Sequence, residues 1–127
     1  MSKQVLIVDD EPNIVISLEF LMKREGFAVA VARDGEEGLA AIRAGRPDLV
    51  VLDVMMPKRN GYEVLEAVRA DPALAGVRIL MLTAKGRPAE SEKGLELGAD
   101  AYMPKPFSTR ELVDKAKLLL AEGERQP

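Results

Sequence analysis

Residues 49–61 read LVVLDVMMPKRNG. An aliphatic run, Leu49 to Leu52, leads into Asp53, and Val54, Met55 and Met56 follow before Pro57. An ionised carboxylate is costly to bury without a partner. A run that is apolar on consecutive residues, rather than on alternate ones, fits a parallel strand covered on both faces. Asp53 therefore stands at the carboxyl end of a central strand, and its charge there needs a reason.

The same pattern recurs on either side. Short β-branched runs at Gln4–Val8, Ala28–Ala32, Arg78–Leu82 and Ala101–Met103 join Leu49–Leu52 as predicted strands. Helical patterns lie between them. Asp10, Glu11 and Pro12 open the first, Ile14, Leu18, Leu21 and Met22 give it an apolar stripe, and Gly26 closes it. Asp34 with Glu37 resembles a capping box for the second, which stops near Gly45. Asn60 with Glu63 opens the third, which stops before Pro72, and Ser108 with Glu111 opens the fifth. The fifth buries Leu112, Val113, Ala116, Leu119 and Leu120. The fourth, roughly residues 88–97, has the poorest pattern, because Gly94 interrupts it and its apolar face is only Ala89, Leu95 and Leu97. Five βα units predict a flavodoxin-like, doubly wound α/β sandwich. Its five-stranded parallel sheet has the order 2-1-3-4-5, with a ligand crevice at the carboxyl ends of strands 1 and 3. Residues 1–121 form one domain, and 122–127 (EGERQP) read as a C-terminal tail or the start of a linker.

Composition narrows the chemistry. The 127 residues suit one core, and 47% of them are hydrophobic but only 4% aromatic, so aliphatic side chains must fill it. A net charge of −3 shows no bias toward nucleic acid or anionic membrane. No stretch is long enough to span a bilayer, and MSKQVLIVDD is not a signal peptide. The absence of cysteine excludes thiolate chemistry and fits a reducing compartment, the cytoplasm. The absence of histidine excludes imidazole catalysis and the usual zinc sites, and the chain cannot present a phosphohistidine of its own.

Strand direction gathers the remaining polar residues. The first strand ends in Asp9 and Asp10, the third at Asp53, the fourth at Thr83, and the fifth runs into Lys105 and Pro106. In a parallel sheet all of these reach one rim. Strands 1 and 3 are neighbours about 4.8 Å apart, which brings Asp10 within several ångströms of Asp53. At about 4 Å and an effective dielectric near 20, one carboxylate pair costs about 4 kcal/mol. A hard divalent cation offsets this, and an oxygen-only ligand set suits Mg²⁺. Asp10 and Asp53 are the expected direct ligands, with Asp9 direct or through water and the Met55 carbonyl as a neutral oxygen. A carboxylate beside such an ion is also a nucleophile toward phosphorus, giving an aspartyl phosphate. Lys105 would then pair with phosphate oxygens, Thr83 would donate its hydroxyl to another, and backbone N–H groups after Asp53 and Thr83 would complete the cradle.

Asp9–Asp10, the D-x-x-M-P motif at 53–57, Thr83–Ala84 and K-P-F at 105–107 resemble the receiver domain of bacterial two-component response regulators, of the single-domain, chemotaxis-regulator-like kind. The likeness covers roughly residues 3–121. It implies that Asp53 takes a phosphoryl group from a histidine of a sensor kinase or phosphotransfer protein, that Asp9 and Asp10 bind Mg²⁺, and that Lys105 contacts the phosphoryl group. It implies that Thr83 reports its arrival, with Tyr102 as a rotamer switch that turns inward. Met55 and Lys85 would tune the phosphoryl lifetime, and a cis bond at Pro106 would aim Lys105. The surface of the fourth helix, fifth strand and fifth helix would then be read by a downstream protein. The partners expected are therefore proteins, with no direct nucleic acid and no membrane, and the chain itself is a monomer or a weak phosphorylation-dependent dimer. By the same likeness it is no turnover enzyme, catalysing only its own phosphorylation and dephosphorylation.

Taken singly, these residues have plainer roles. Asp9 and Asp10 read as helix caps, Asp53 as a turn-former, Thr83 as a strand end and Lys105 as a solvated lysine. Their convergence on one crevice is what favours a shared site. Three other functions compete: an Mg²⁺-dependent phosphohydrolase, a flavodoxin-like cofactor binder, and a docking module that takes no phosphate. Turnover of the haloacid-dehalogenase type places a second Asp two residues past the nucleophile, where this chain has Met55. A flavin site would need a Ser/Thr/Gly-rich loop after strand 1, where this chain has the acidic DDEPN.

Overall fold

The computed structural model describes residues 3–56, 60–84, 97–105 and 107–125, with side chains described through residue 121 except at Ala84. The fourth predicted helix, Lys85 and Pro106 lie outside the described residues, Leu97 excepted. Five strands, β1 (Gln4–Val8), β2 (Ala28–Ala32), β3 (Leu49–Asp53), β4 (Arg78–Ala84) and β5 (Ala101–Lys105), form one parallel sheet in the order β2-β1-β3-β4-β5. Among the described residues the helices are α1 (Pro12–Arg24), α2 (Gly35–Gly45), α3 (Gly61–Arg69) and α4 (Thr109–Arg125), with a single 3₁₀ turn at Pro72–Leu74.

Side-chain alternation explains the consecutive apolar runs. Leu6 and Val8, Val50 and Leu52, and Ile79 and Met81 face the layer holding α2 and α3. Val5 and Ile7, Leu49 and Val51, and Leu80 and Leu82 face the layer holding α1 and α4. Both faces of the central strands β1 and β3 are dry beyond Gln4, so on them a polar side chain has room only at the ends, while the edge strands β2 and β5 are partly exposed.

Three strands run further than the sequence predicts. Asp53 pairs in register with Leu82, Thr83 with Pro104 and Ala84 with Lys105. Asp53, Thr83 and Lys105 thus lie on paired backbone, because ladder pairing is indifferent to side-chain polarity. Pro104, which has no N–H to donate, is tolerated because β5 is an edge strand.

The helix ends follow their signals with one departure. Asn60 and Glu63 form a full capping box, and the Asp34 carboxylate accepts the Glu37 N–H at 2.8 Å. Gly26 closes α1 in the left-handed region (φ 92°). In α2, however, the left-handed residue is Arg46 (φ 45°) rather than Gly45. The buried residues of α1 are Val15, Leu18 and Met22, while Ile14 and Leu21 pack at the margin. The five residues expected to be buried on the last helix are buried on α4.

The rim remote from Asp53 is braced by one guanidinium. At the end of α3, Arg69 donates to the carbonyls of Gly98 and Val77 and to the Asp100 carboxylate, each at 2.8 Å. Asp100 also accepts the Ile79 N–H at 2.7 Å and faces Arg78 at 3.3 Å. This network fixes the approach to β5 against the start of β4.

Candidate functional site

β1 delivers Asp9 and Asp10 to the carboxyl rim, β3 delivers Asp53, β4 Thr83 and β5 Lys105. Asp9 is fully buried, Asp53 is 4% exposed and Thr83 2%, whereas Asp10 is exposed. An oxygen from each of Asp9, Asp10 and Asp53 lies within 4.8 Å of the others. The Lys105 ammonium sits 3.1 Å from Asp9 Oδ2 and 3.3 Å from Asp53 Oδ1. The Met55 N–H reaches Asp53 Oδ1 at 3.4 Å. Thr83 Oγ1 donates to the Met103 carbonyl at 3.5 Å, and Tyr102 on the neighbouring strand is 40% exposed.

Capping does not account for the acidic pair. The N-cap of α1 is Glu11, whose own side chain makes no cap hydrogen bond. Asp9 Oδ1 accepts the Glu11 N–H at 2.9 Å and so braces the turn into α1 with one oxygen. Its other oxygen, Oδ2, is buried without a hydrogen-bond partner among the described residues although Lys105 stands 3.1 Å away. The ammonium supplies charge to Oδ2 but lies off its hydrogen-bonding direction.

The electrostatics follow from this crowding. Burial, then the neighbouring charge of Asp9, push the Asp53 carboxyl from near 3.8 up to about 6, against the pull of Lys105 and the Met55 N–H. Burial pushes Asp9 up as well. For Lys105 burial acts downward, but the Glu11 hydrogen bond and the charges of Asp53 and Asp9 outweigh it and hold the ammonium above its ordinary value. Among the described residues, one ammonium faces the carboxylates of Asp9, Asp53 and Glu11 with Asp10 close by, which leaves the cluster short of positive charge. An oxygen-only donor set with a buried, unbonded carboxylate oxygen is compatible with a hard divalent cation such as Mg²⁺.

Two contributors escape sequence reasoning. Glu11 Oε1 accepts from Lys105 Nζ at 3.1 Å, across 94 positions of chain, and its only sequence signal is adjacency to Asp10. Gly61 starts α3 hard against the end of β3. A Cβ there would collide with the Asp53 carbonyl and lie 2.9 Å from Val54 Cα. Its N–H donates to the Val54 carbonyl at 2.8 Å. Following Asn60 in a capping box, it reads in sequence only as the first residue of a helix.

A family model described as "Response regulator receiver domain" matches residues 5–117. The chain is 47% identical over 124 residues to the alkaline phosphatase synthesis transcriptional regulatory protein PhoP of Bacillus subtilis, covering 98% of this chain and 51% of PhoP. It is 44% identical over 127 residues to the DNA-binding response regulator MtrA of Mycolicibacterium smegmatis, covering 100% of this chain and 54% of MtrA. Among solved structures, a CheY-like response regulator receiver domain protein from Methanospirillum hungatei superposes with a TM-score of 0.91 at 35% identity, covering 100% of both chains. The chain thus spans about half the length of these curated relatives.

These relatives correct one expectation. The sequence reading admits protein partners only and no direct nucleic acid, but MtrA is a DNA-binding response regulator and PhoP a transcriptional regulator. The charge of 127 residues speaks for those residues alone, and a DNA contact made by another part of a regulator leaves no mark on it. No described helix is long and apolar enough to cross a membrane. With the sheet order, the rim and these matches together, the chain belongs to the response regulator receiver domain family, whose members act as signalling switches.

Proposed function

We propose that this chain is switched by phosphorylation of Asp53, with a phosphohistidine of a sensor kinase or phosphotransfer protein as donor. The observation that supports this best is the placement of the Lys105 ammonium, 3.1 Å from Asp9 and 3.3 Å from Asp53, where three carboxylates converge. In the transfer the P–N bond of the donor breaks, a P–O bond to Asp53 forms, and the imidazole leaves with the electron pair. Mg²⁺ held by Asp9, Asp10, Asp53 and the Met55 carbonyl would supply positive charge to the moving group. Asp53 is aimed by its strand pairing and by the Met55 N–H. Lys105 neutralises the acquired phosphoryl charge as a point cation.

The readout rests on Thr83 and Tyr102. Thr83, held among the described residues by a long bond to the Met103 carbonyl, can exchange that acceptor for a phosphoryl oxygen. Tyr102, partly exposed in this state, turns inward as Thr83 moves, and the surface of residues 88–97, β5 and α4 changes with it. Met55 and Lys85 tune the lifetime of the phosphoryl group. The names of PhoP and MtrA support DNA binding as the output that such a switch governs. A cytoplasmic setting accords with a kinase donor.

Incubation with acetyl phosphate, with and without Mg²⁺, tests the chemistry by mass. Wild type should gain one phosphoryl group only with the ion, and Asp53→Asn should gain none. Labelling that persists in Asp53→Asn would overturn the assignment.

A further inference from the structure

Glu11 does not do what an N-cap residue usually does. Its backbone is extended (φ −88°, ψ 112°) as a cap requires, yet its carboxylate makes no cap hydrogen bond to α1 and reaches Lys105 on β5 instead. Asp9, which ties down the Glu11 N–H at 2.9 Å, fixes the point from which that side chain departs. The ammonium donates a hydrogen bond to Glu11 Oε1 at 3.1 Å, whereas its approach to Asp9 Oδ2 at the same distance falls short of hydrogen-bond geometry. The Glu11 side chain is 58% exposed, so it is not trapped in this pose by packing.

We infer that Glu11 is a positioning residue for phosphoryl acceptance: it holds the Lys105 ammonium in a resting place from which the incoming group must take it. The inference rests on the reading that Asp53 is the acceptor. An anionic phosphoryl group needs the same ammonium protons that Glu11 holds, so the two compete. A partly exposed ion pair is weak enough to be displaced and strong enough to slow the step measurably. Once Lys105 has moved to the phosphoryl oxygens Glu11 is released, and loss of the phosphoryl group to water no longer depends on it.

Phosphorylation by acetyl phosphate under saturating Mg²⁺ tests this. In that reaction the P–O bond to acetate breaks, the bond to Asp53 forms, and acetate departs with the electron pair. Glu11→Gln removes the charge, while Glu11→Asp keeps it but draws it back by one methylene. Both variants should be phosphorylated about three- to fivefold faster than wild type, the range a partly exposed ion pair supports. Hydrolysis of the aspartyl phosphate should change by less than about twofold, because Glu11 is disengaged by then. In a Lys105→Ala background, Glu11→Gln should change the rate by less than about twofold, since the competitor has nothing left to hold. Urea midpoints of the Glu11 variants should match wild type, which separates the effect from folding. Acceleration in Glu11→Gln alone would mean simple repulsion of the donor and would overturn the competition, as would acceleration that survives Lys105→Ala. Wild type labelled at Asp53 with neither variant faster defeats the Glu11 inference by itself. Wild type left unlabelled defeats the underlying reading.

Discussion

Replacing Asp53 by Asn should stabilise the ion-free protein, and the size of the effect can be worked out from the site. Burial and the charge of Asp9 move the Asp53 carboxyl from near 3.8 to about 6 in the native state. At 1.36 kcal/mol per pH unit this displacement corresponds to about 3 kcal/mol. The native state thus binds the Asp53 proton more tightly than the unfolded chain does. Below about pH 4 both states carry the proton, and wild type and the uncharged Asn variant should be equally stable. Between about pH 4 and 6 the unfolded chain ionises first, so wild-type stability falls as pH rises. Above about pH 6 both states are ionised and the full penalty applies. Urea unfolding in EDTA should therefore show Asp53→Asn more stable by about 3 kcal/mol at pH 7.5, with the gap closing toward pH 4. Addition of Mg²⁺ at pH 7.5 should narrow the gap, since the ion is held by the native wild-type carboxylates and poorly by the variant. An Asn variant no more stable than wild type at pH 7.5, or a gap that widens on acidification, would refute the view that Asp53 is held in a strained, charged state.

Three further outcomes test the framework of the site. Gly61→Ala should cost about 1–3 kcal/mol in urea unfolding, because its Cβ meets the Asp53 carbonyl and Val54 Cα, and it should slow acetyl phosphate labelling by moving the end of β3. Arg46→Gly should raise stability by about 1 kcal/mol in the same assay, because only the non-glycine residue bears the left-handed penalty at φ 45°. Asp100→Ala should lower stability by about 2 kcal/mol by stranding Arg69, Arg78 and the Ile79 N–H, a figure kept modest because the carboxylate is about one-fifth exposed. Thermal unfolding followed by circular dichroism checks it independently.

The parts of this protein legible in its sequence are those written in periodicity and punctuation. Leu49–Leu52 announces a strand dry on both faces, Asn60 and Glu63 announce a helix start, and strand direction alone carries Asp9, Asp10, Asp53, Thr83 and Lys105 to one rim. What stays hidden depends on distances between elements. The reach of Glu11 to Lys105 spans 94 positions and no pattern encodes it. The need for glycine at 61 comes from how closely α3 abuts β3, which neither segment reveals alone. The preference for Val15 over Ile14 at the bottom of α1 is a small rotation of a helix whose apolar stripe is wide enough to allow either. Arg46 adopts a conformation that propensity would give to Gly45, because the turn into Pro47 and β3 sets where the helix must stop.

The Arg69 bracket sets the mechanics of whatever begins at Thr83. Ala84 ends β4 at the carboxyl rim, while Gly98 and Asp100, at the entry to β5, are both moored by the guanidinium. Slippage of that entry is therefore not open as a way to absorb a displacement at Thr83, because Arg69 ties it to α3 and to the start of β4.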